Sequence, residues 1–303
     1  MANFSLACFT NASNITGREA DDLWAAGSTV IIIINTITFP FTVLLNLLVI
    51  KAVKITPRLQ TNSNILLACL AVTDALTGLL CQPLFILWTL FLLFGLSNSD
   101  TVEHFCFKSL TVILTASFFH LMLVTSERLI AIKFTMQYSN IVTYKNMKIA
   151  VLSVWIFAFI NEILRITFLI VARFFTGLIT ISCTLFLAFT YFIIYRETRR
   201  HQKMIIAQQL PQDVVERFVK ENKALRTTVV IVGAAVFVLL PVCFCLIVTA
   251  TGLYEICPID TRWRLTYSML NSLLNPLIYC WRQKEMRKVI FGLRTQIVHV
   301  DIQ

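Results

Sequence analysis

Two placements of charge in this chain could do chemistry. In LVTSERLIAIKF, residues 123–134, Glu127 and Arg128 stand side by side in a largely apolar run. An acid and a guanidinium that neutralise each other away from water form a pair whose breaking exposes a cation. In LLACLAVTDALTGLL, residues 66–80, Asp74 is the sole charged group and has no basic neighbour. Asn46, Ser117, Asn271, Ser272 and Asn275 fall in the middle of other apolar runs and could converge on it. One carboxylate with several neutral oxygens suits a small hard cation such as sodium, and equally suits a hydrated hydrogen-bond network with no ion.

The runs that must position these residues are long. Of 303 residues 57% are hydrophobic and 14% charged, against about 25% charged in soluble domains. Apolar stretches able to cross a hydrocarbon layer, which takes roughly 20 helical residues, recur over 28–280. They are expected to be helices, because a helix satisfies its own backbone groups where no water can. The short alternating strands of a membrane barrel are absent from the pattern. The fold class read from this is an all-α membrane protein, a seven-transmembrane helix bundle. Spans are expected at 28–53, 63–92, 103–134, 147–167, 168–198, 221–251 and 261–281. The run from Ile149 to Tyr195 is too long for one crossing and must break tightly between Arg165 and Arg173. Buried ionisable groups at such depth face a bundle interior, which makes Asp74 a functional candidate.

Basic residues are retained on the cytoplasmic side. Most of the 26 fall after spans one, three, five and seven, as with Lys51, Lys54, Lys133, Arg196, Arg200, Arg282 and Lys288. This puts the N-terminus outside and the C-terminus inside. The sequons at Asn3, Asn11 and Asn14, all within one short tail, agree as glycosylation sites. The expected organisation is an extracellular tail (1–27), a seven-helix bundle (28–281) and a cytoplasmic amphipathic helix with a short tail (282–303). That helix carries Met286, Val289, Ile290 and Leu293 on one stripe, as in helices that lie along membrane lipid. The net charge of +10 is then a surface facing anionic lipid, and no nucleic acid is implied. Pro276 and Pro241 interrupt the backbone bonding of spans seven and six and are candidate hinges.

Other function classes lack their signatures. A transporter should show internal repeats and broken helices in matching halves. An intramembrane enzyme needs paired catalytic groups, whereas His104, His120, His201 and His299 are scattered and Asp74 lacks a second acid.

Taken in order, Asn46 in LLNLLVI, LAVTD ending at Asp74, ERL at 127–129, Trp155, Tyr191, KENKALRTT at 220–228, Pro241 and NPLIY at 275–279 resemble the rhodopsin-like (class A) G-protein-coupled receptors over nearly the whole chain. The minimal loop between spans four and five, MQYSNIVTYKNMK and Cys183 look closest to the melanocortin, adenosine, cannabinoid and lysolipid receptor group. Asn275 departs from the melanocortin pattern, which has aspartate there. The resemblance implies a plasma-membrane receptor for an extracellular ligand that activates heterotrimeric G proteins, with no cofactor beyond a candidate sodium ion. It implies that Arg128 engages the G protein, that Glu127 and Glu221 hold it at rest, and that Met136 inserts into the G protein. It also implies that Tyr191 and Tyr279 turn inward on activation. Arrestin and receptor dimers are further partners the family implies, although loop 199–220 and the tail after Leu293 offer few phosphorylation sites.

Against the family pattern, Leu239 and Ala235 replace the aromatic residues of span six, which makes a non-signalling scaffold or dimerisation partner the alternative function. Cys106 lies off the usual disulfide position, which Glu103 occupies; the expected bridge joins Cys257 to Cys8 or to Cys106. Cys69, Cys183, Cys243, Cys245 and Cys280 are read as packing residues. Leu110 disfavours an amine ligand and Met269 an opsin. The candidate pocket is Glu103, Leu110, Thr111, Leu114, Arg173, Leu246 and Met269. An apolar ligand with an anionic head on Arg173 is one reading; pairing of these charges among themselves, Glu162 with Arg165, is the other.

Overall fold

The computed structural model describes residues 17–96, 99–207, 230, 233–234, 236–237, 240–245, 247–248, 257, 259–282 and 284–290. The main helices are α1 (Gly17–Ile55), α2 (Asn62–Leu76), α3 (Gln82–Leu93), α4 (Ser99–Lys133), α5 (Tyr144–Thr167), α6 (Leu169–Ala207), α7 (Thr261–Arg282) and α8 (Lys284–Ile290). Among the described residues five segments are long and apolar enough to cross a membrane: Asp21–Ile55, Asn62–Leu93, Lys108–Lys133, Tyr144–Arg165 and Gly177–Glu197. The chain is a multi-pass membrane protein.

The expected count of seven spans departs from this at two places. Segment 221–251 lies largely outside the described residues, helical where it is described. α7, at 22 residues, is long enough but too polar to qualify by apolarity, because Arg262, Thr266, Ser272 and Asn275 are buried against other helices rather than offered to lipid. Mean hydropathy averages over faces and misses that distinction. α1 also begins at Gly17, inside the stretch assigned to the tail, since helix formation does not stop where lipid contact does.

Local chemistry explains the breaks. Thr61 caps α2, its hydroxyl accepting from Asn64 N. Between α2 and α3 the chain widens into one π turn, Thr77–Cys81, with Gln82 N donating to Thr77 O. It ends two residues before Pro83, whose missing N–H and ring obstruct a regular turn. At Gly78 a Cβ would sit 2.8 Å from Val43 Cγ2 and 3.1 Å from Thr42 Cβ, so this approach of α1 requires a glycine. The break expected between Arg165 and Arg173 is a single residue, Phe168, at ψ 69°. α7 runs through Pro276 as one helix.

Two apolar clusters sit at different levels of the bundle. One gathers Val49, Leu66, Leu121, Val124, Tyr279 and Met286; the other gathers Ile31, Phe85, Leu110, Ile113 and Met269. Met286 is buried and Ile290 packs on the first cluster, which seats α8 by the inner side of its stripe, while Val289 is exposed.

Candidate functional site

Glu127 is buried near the end of α4 and is fully engaged. Its Oε1 accepts from Tyr138 Oη at 2.6 Å and its Oε2 accepts from Ser63 Oγ at 2.9 Å. Arg128 Nε stands 3.4 Å from the same Oε2. Ser63 is placed by the capped first turn of α2, and Tyr138 by a short helix, Tyr138–Ile141, in the following loop. Asn62 Nδ2 donates to Val142 O at 2.9 Å and ties that loop to α2. Burial, then the hydrogen bond to Glu127, pushes the Tyr138 phenol above its ordinary range, so it remains a donor to the carboxylate. Ser63 and Tyr138 were absent from the sequence reading. Their signal is weak, because a serine and a loop tyrosine reveal no partner until the loop folds back.

Asp74 is completely buried at the centre of the bundle. Oδ1 accepts from Ser117 Oγ at 2.7 Å, and Oδ2 accepts from Asn275 Nδ2 at 2.8 Å. Asn46 takes a neighbouring role rather than binding Asp74 directly: its Nδ2 donates to Thr42 O at 2.8 Å and Ser272 O at 3.0 Å. That second bond locks α1 to α7. Asn46 Oδ1, Asn271 Oδ1 and Tyr279 Oη are buried without a hydrogen-bond partner. The carboxylate thus meets neutral donors from α4 and α7.

A second polar seam, which the sequence reading missed, joins α1, α3 and α7. Gln82 Nε2 donates to Thr38 Oγ1 at 2.9 Å and Asn35 Oδ1 at 3.3 Å, and Asn35 Nδ2 donates to Thr266 Oγ1 at 3.3 Å. At the outer end Arg262 donates to Ser28 Oγ, pairs with Asp260, and lies 4.6 Å above the Trp24 ring. The spacing of Ser28, Asn35, Thr42 and Asn46 along one face of span one was the available signal.

The candidate pocket residues come together only in part. Leu110 and Met269 are buried in one cluster, and Leu114 packs against it. Glu103 is half-buried on α4, as is Thr111. Leu246 and the side chain of Arg173 lie outside the described residues, as do Glu221, Ala235, Leu239, Leu293, Cys8, Asn3, Asn11, Asn14 and the side chain of Cys106. Glu162 accepts from Arg165 Nη2 at 2.9 Å and Nε at 3.0 Å, so the expected i, i+3 pairing is present. Tyr191 stacks on Tyr195 with centroids 6.2 Å apart and faces Gly233 of the sixth segment. Tyr279 is already buried, Pro241 is half-buried, Pro276 lies inside α7, and Met136 is 92% exposed.

The expected disulfide needs correction. Cys257 is bonded to Cys245, not to Cys8 or Cys106, with Cα atoms 5.0 Å apart. That separation falls in the range a disulfide spans, across 12 residues of sequence. Cys245, read as a packing residue, is therefore a bridge partner, while Cys69, Cys81, Cys183, Cys243 and Cys280 form no disulfide.

With this geometry in view, residues 45–184 match the family model described as 7 transmembrane receptor (rhodopsin family). Over that segment, which is less than half of the chain, the protein is similar to this receptor family. That family is one of receptors and not of enzymes, and its members bind extracellular ligands and couple to G proteins. Among curated proteins, the adenosine receptor A2a of Cavia porcellus is 24% identical over 304 aligned positions, covering 86% of this chain and 71% of that protein. The 5-hydroxytryptamine receptor 1B is 35% identical in Mus musculus over 117 residues, or 39% of this chain and 30% of the mouse protein. In Homo sapiens the same receptor is 30% identical over 157 residues, or 52% of this chain and 40% of the human protein. The narrower likeness to melanocortin receptors rests on sequence motifs alone.

Proposed function

We propose that this protein is a plasma-membrane receptor, N-terminus outside, that binds an extracellular ligand and activates heterotrimeric G proteins through Arg128. The observation that carries this reading is the unequal grip on Glu127. Two hydroxyls hold the carboxylate at 2.6 and 2.9 Å, while Arg128 approaches one already shared oxygen at 3.4 Å. Charge-assisted hydrogen bonds are strongest when short. The arginine is therefore the member that leaves, with the acid staying fixed to Ser63 and Tyr138. Release of Arg128 at the end of α4 would present a cation to the G protein, with Glu221 as a second resting partner and Met136 as an exposed apolar contact beside it. Tyr191, Tyr279, Pro241, Asn275 and Pro276 would carry the accompanying helix movements. Asp74, Ser117 and the unpartnered oxygens of Asn46 and Asn271 are the groups that would hold a sodium ion, whose charge would offset the buried carboxylate.

Glu127 and Arg128 would thus form a two-state element biased by the ligand. Nucleotide exchange on purified G proteins by the full chain in nanodiscs tests this, with Arg128→Ala as control. Exchange above the Arg128→Ala level supports the receptor reading. If no G protein responds or associates, the chain is a non-signalling scaffold or dimer partner, the reading that Leu239 and Ala235 favour.

A further inference from the structure

Arg264, Ser268, Asn271 and Asn275 fall at i, i+4, i+7 and i+11 along α7, one face of a helix. Asn275 donates to Asp74, so that face is the one turned into the bundle. Arg264 stands at its outer end. At the outer ends of α5 and α7, Arg165 pairs with Glu162 and Arg262 with Asp260. Both oxygens of Asp260 are committed to Arg262. Arg264 Nη2 donates to the neutral Thr261 Oγ1 at 2.6 Å and its Nε is buried with no acceptor, while Asp260, bonded to Arg262, acts on it electrostatically.

An arginine that merely reaches for water keeps its nitrogens wet. Here one nitrogen is enclosed and unmatched while the rest of the half-buried side chain stays accessible. A guanidinium carries five donors in a fork that matches a carboxylate or phosphate. Deeper along the same face Asn271 Oδ1 is also buried without a partner, seven residues and so roughly 10 Å farther in. Leu265 and Met269, between these levels, belong to the apolar cluster around Leu110.

We propose that Arg264, with the Thr261 hydroxyl, anchors the anionic head of this receptor's ligand, a carboxylate or phosphate monoester on an apolar body that extends inward toward Asn271. This rests on the receptor reading above and supplies the ligand class that reading leaves open. It puts the anion partner on α7 rather than at Arg173, which was one of two readings of the sequence.

The test uses the full chain in zwitterionic nanodiscs with three fluorescent probes of equal chain length: a labelled dodecanoic acid, dodecyl phosphate and dodecanol. Empty nanodiscs supply the background. The expected result is saturable binding of the acid, the phosphate or both, weakened about tenfold or more by Arg264→Gln and partly restored by Arg264→Lys, with the alcohol unaffected. The stronger of the two anions identifies the head group. Equal binding of acid, phosphate and alcohol by the wild type overturns the proposal, as does absence of saturable anion binding or an Arg264→Gln chain that binds the anions unchanged. The comparison of probes on the wild type needs no variant, so it decides even if Arg264→Gln fails to fold. No G protein is present, so failure of the signalling reading would leave this result standing.

Discussion

Exchanging Asp74 and Asn275 tests the central polar contact directly. Asn275 Nδ2 donates to Asp74 Oδ2 at 2.8 Å with both residues buried. Asp74→Asn turns an amide toward an amide and strands a donor, and it also weakens the bond accepted from Ser117. A hydrogen bond to a charged group contributes about 1.5–3 kcal/mol, and a stranded buried donor costs roughly 1–3 kcal/mol. The single variant should therefore lose about 3–5 kcal/mol. Asn275→Asp places two carboxylates together and should lose a similar amount. The double exchange restores one acid facing one amide, so most of the loss should return, a coupling of about 2–3 kcal/mol in the double-mutant cycle. Cys69, Cys81, Cys183, Cys243 and Cys280 form no disulfide and are buried or half-buried, so a thiol-reactive fluorogenic dye reads thermal unfolding in nanodiscs. A double variant whose transition falls by the sum of the two single losses would refute the pairing.

Further outcomes follow from individual contacts. Tyr138→Phe removes the 2.6 Å bond to Glu127 and should raise ligand-free nucleotide exchange severalfold; an unchanged baseline would mean that this hydroxyl does not bias the resting pair. Gly78→Ala drives a methyl to 2.8 Å from Val43 Cγ2, an overpacking that costs about 1–3 kcal/mol and should lower the dye-detected transition, with Val43→Ala in the same chain relieving part of it. Peptide mapping without reduction should recover Cys245 linked to Cys257; a peptide joining Cys257 to Cys8 or Cys106 would reverse the assignment. Arg262→Gln removes the pairing with Asp260 and the contact over Trp24, and should loosen α1 from α7 as faster amide exchange at the outer end of both helices.

Five of the apolar runs and the break before Arg173 were legible in the chain, because membrane helices must be long, apolar and internally bonded whatever their neighbours do. Asp74 and the Glu127–Arg128 pair were legible for the same reason: charge in an apolar run stands out. Neighbours distant in sequence were not. Ser63 and Tyr138 meet Glu127 from another helix and a loop, and Gln82 meets Asn35 across α1 and α3, contacts that depend on how the helices rotate and which faces they bury. Cys245 was read as packing because nothing in its apolar setting in the sequence marks Cys257 as its partner. Arg264 looked like any other residue near a helix end; the burial of its Nε without an acceptor is a result of how the helices pack. Composition along the chain thus determined which segments enter the membrane and which charges carry a cost there. Tertiary packing decided which partner meets that cost, because burial and hydrogen bonding are properties of facing helices rather than of any one segment.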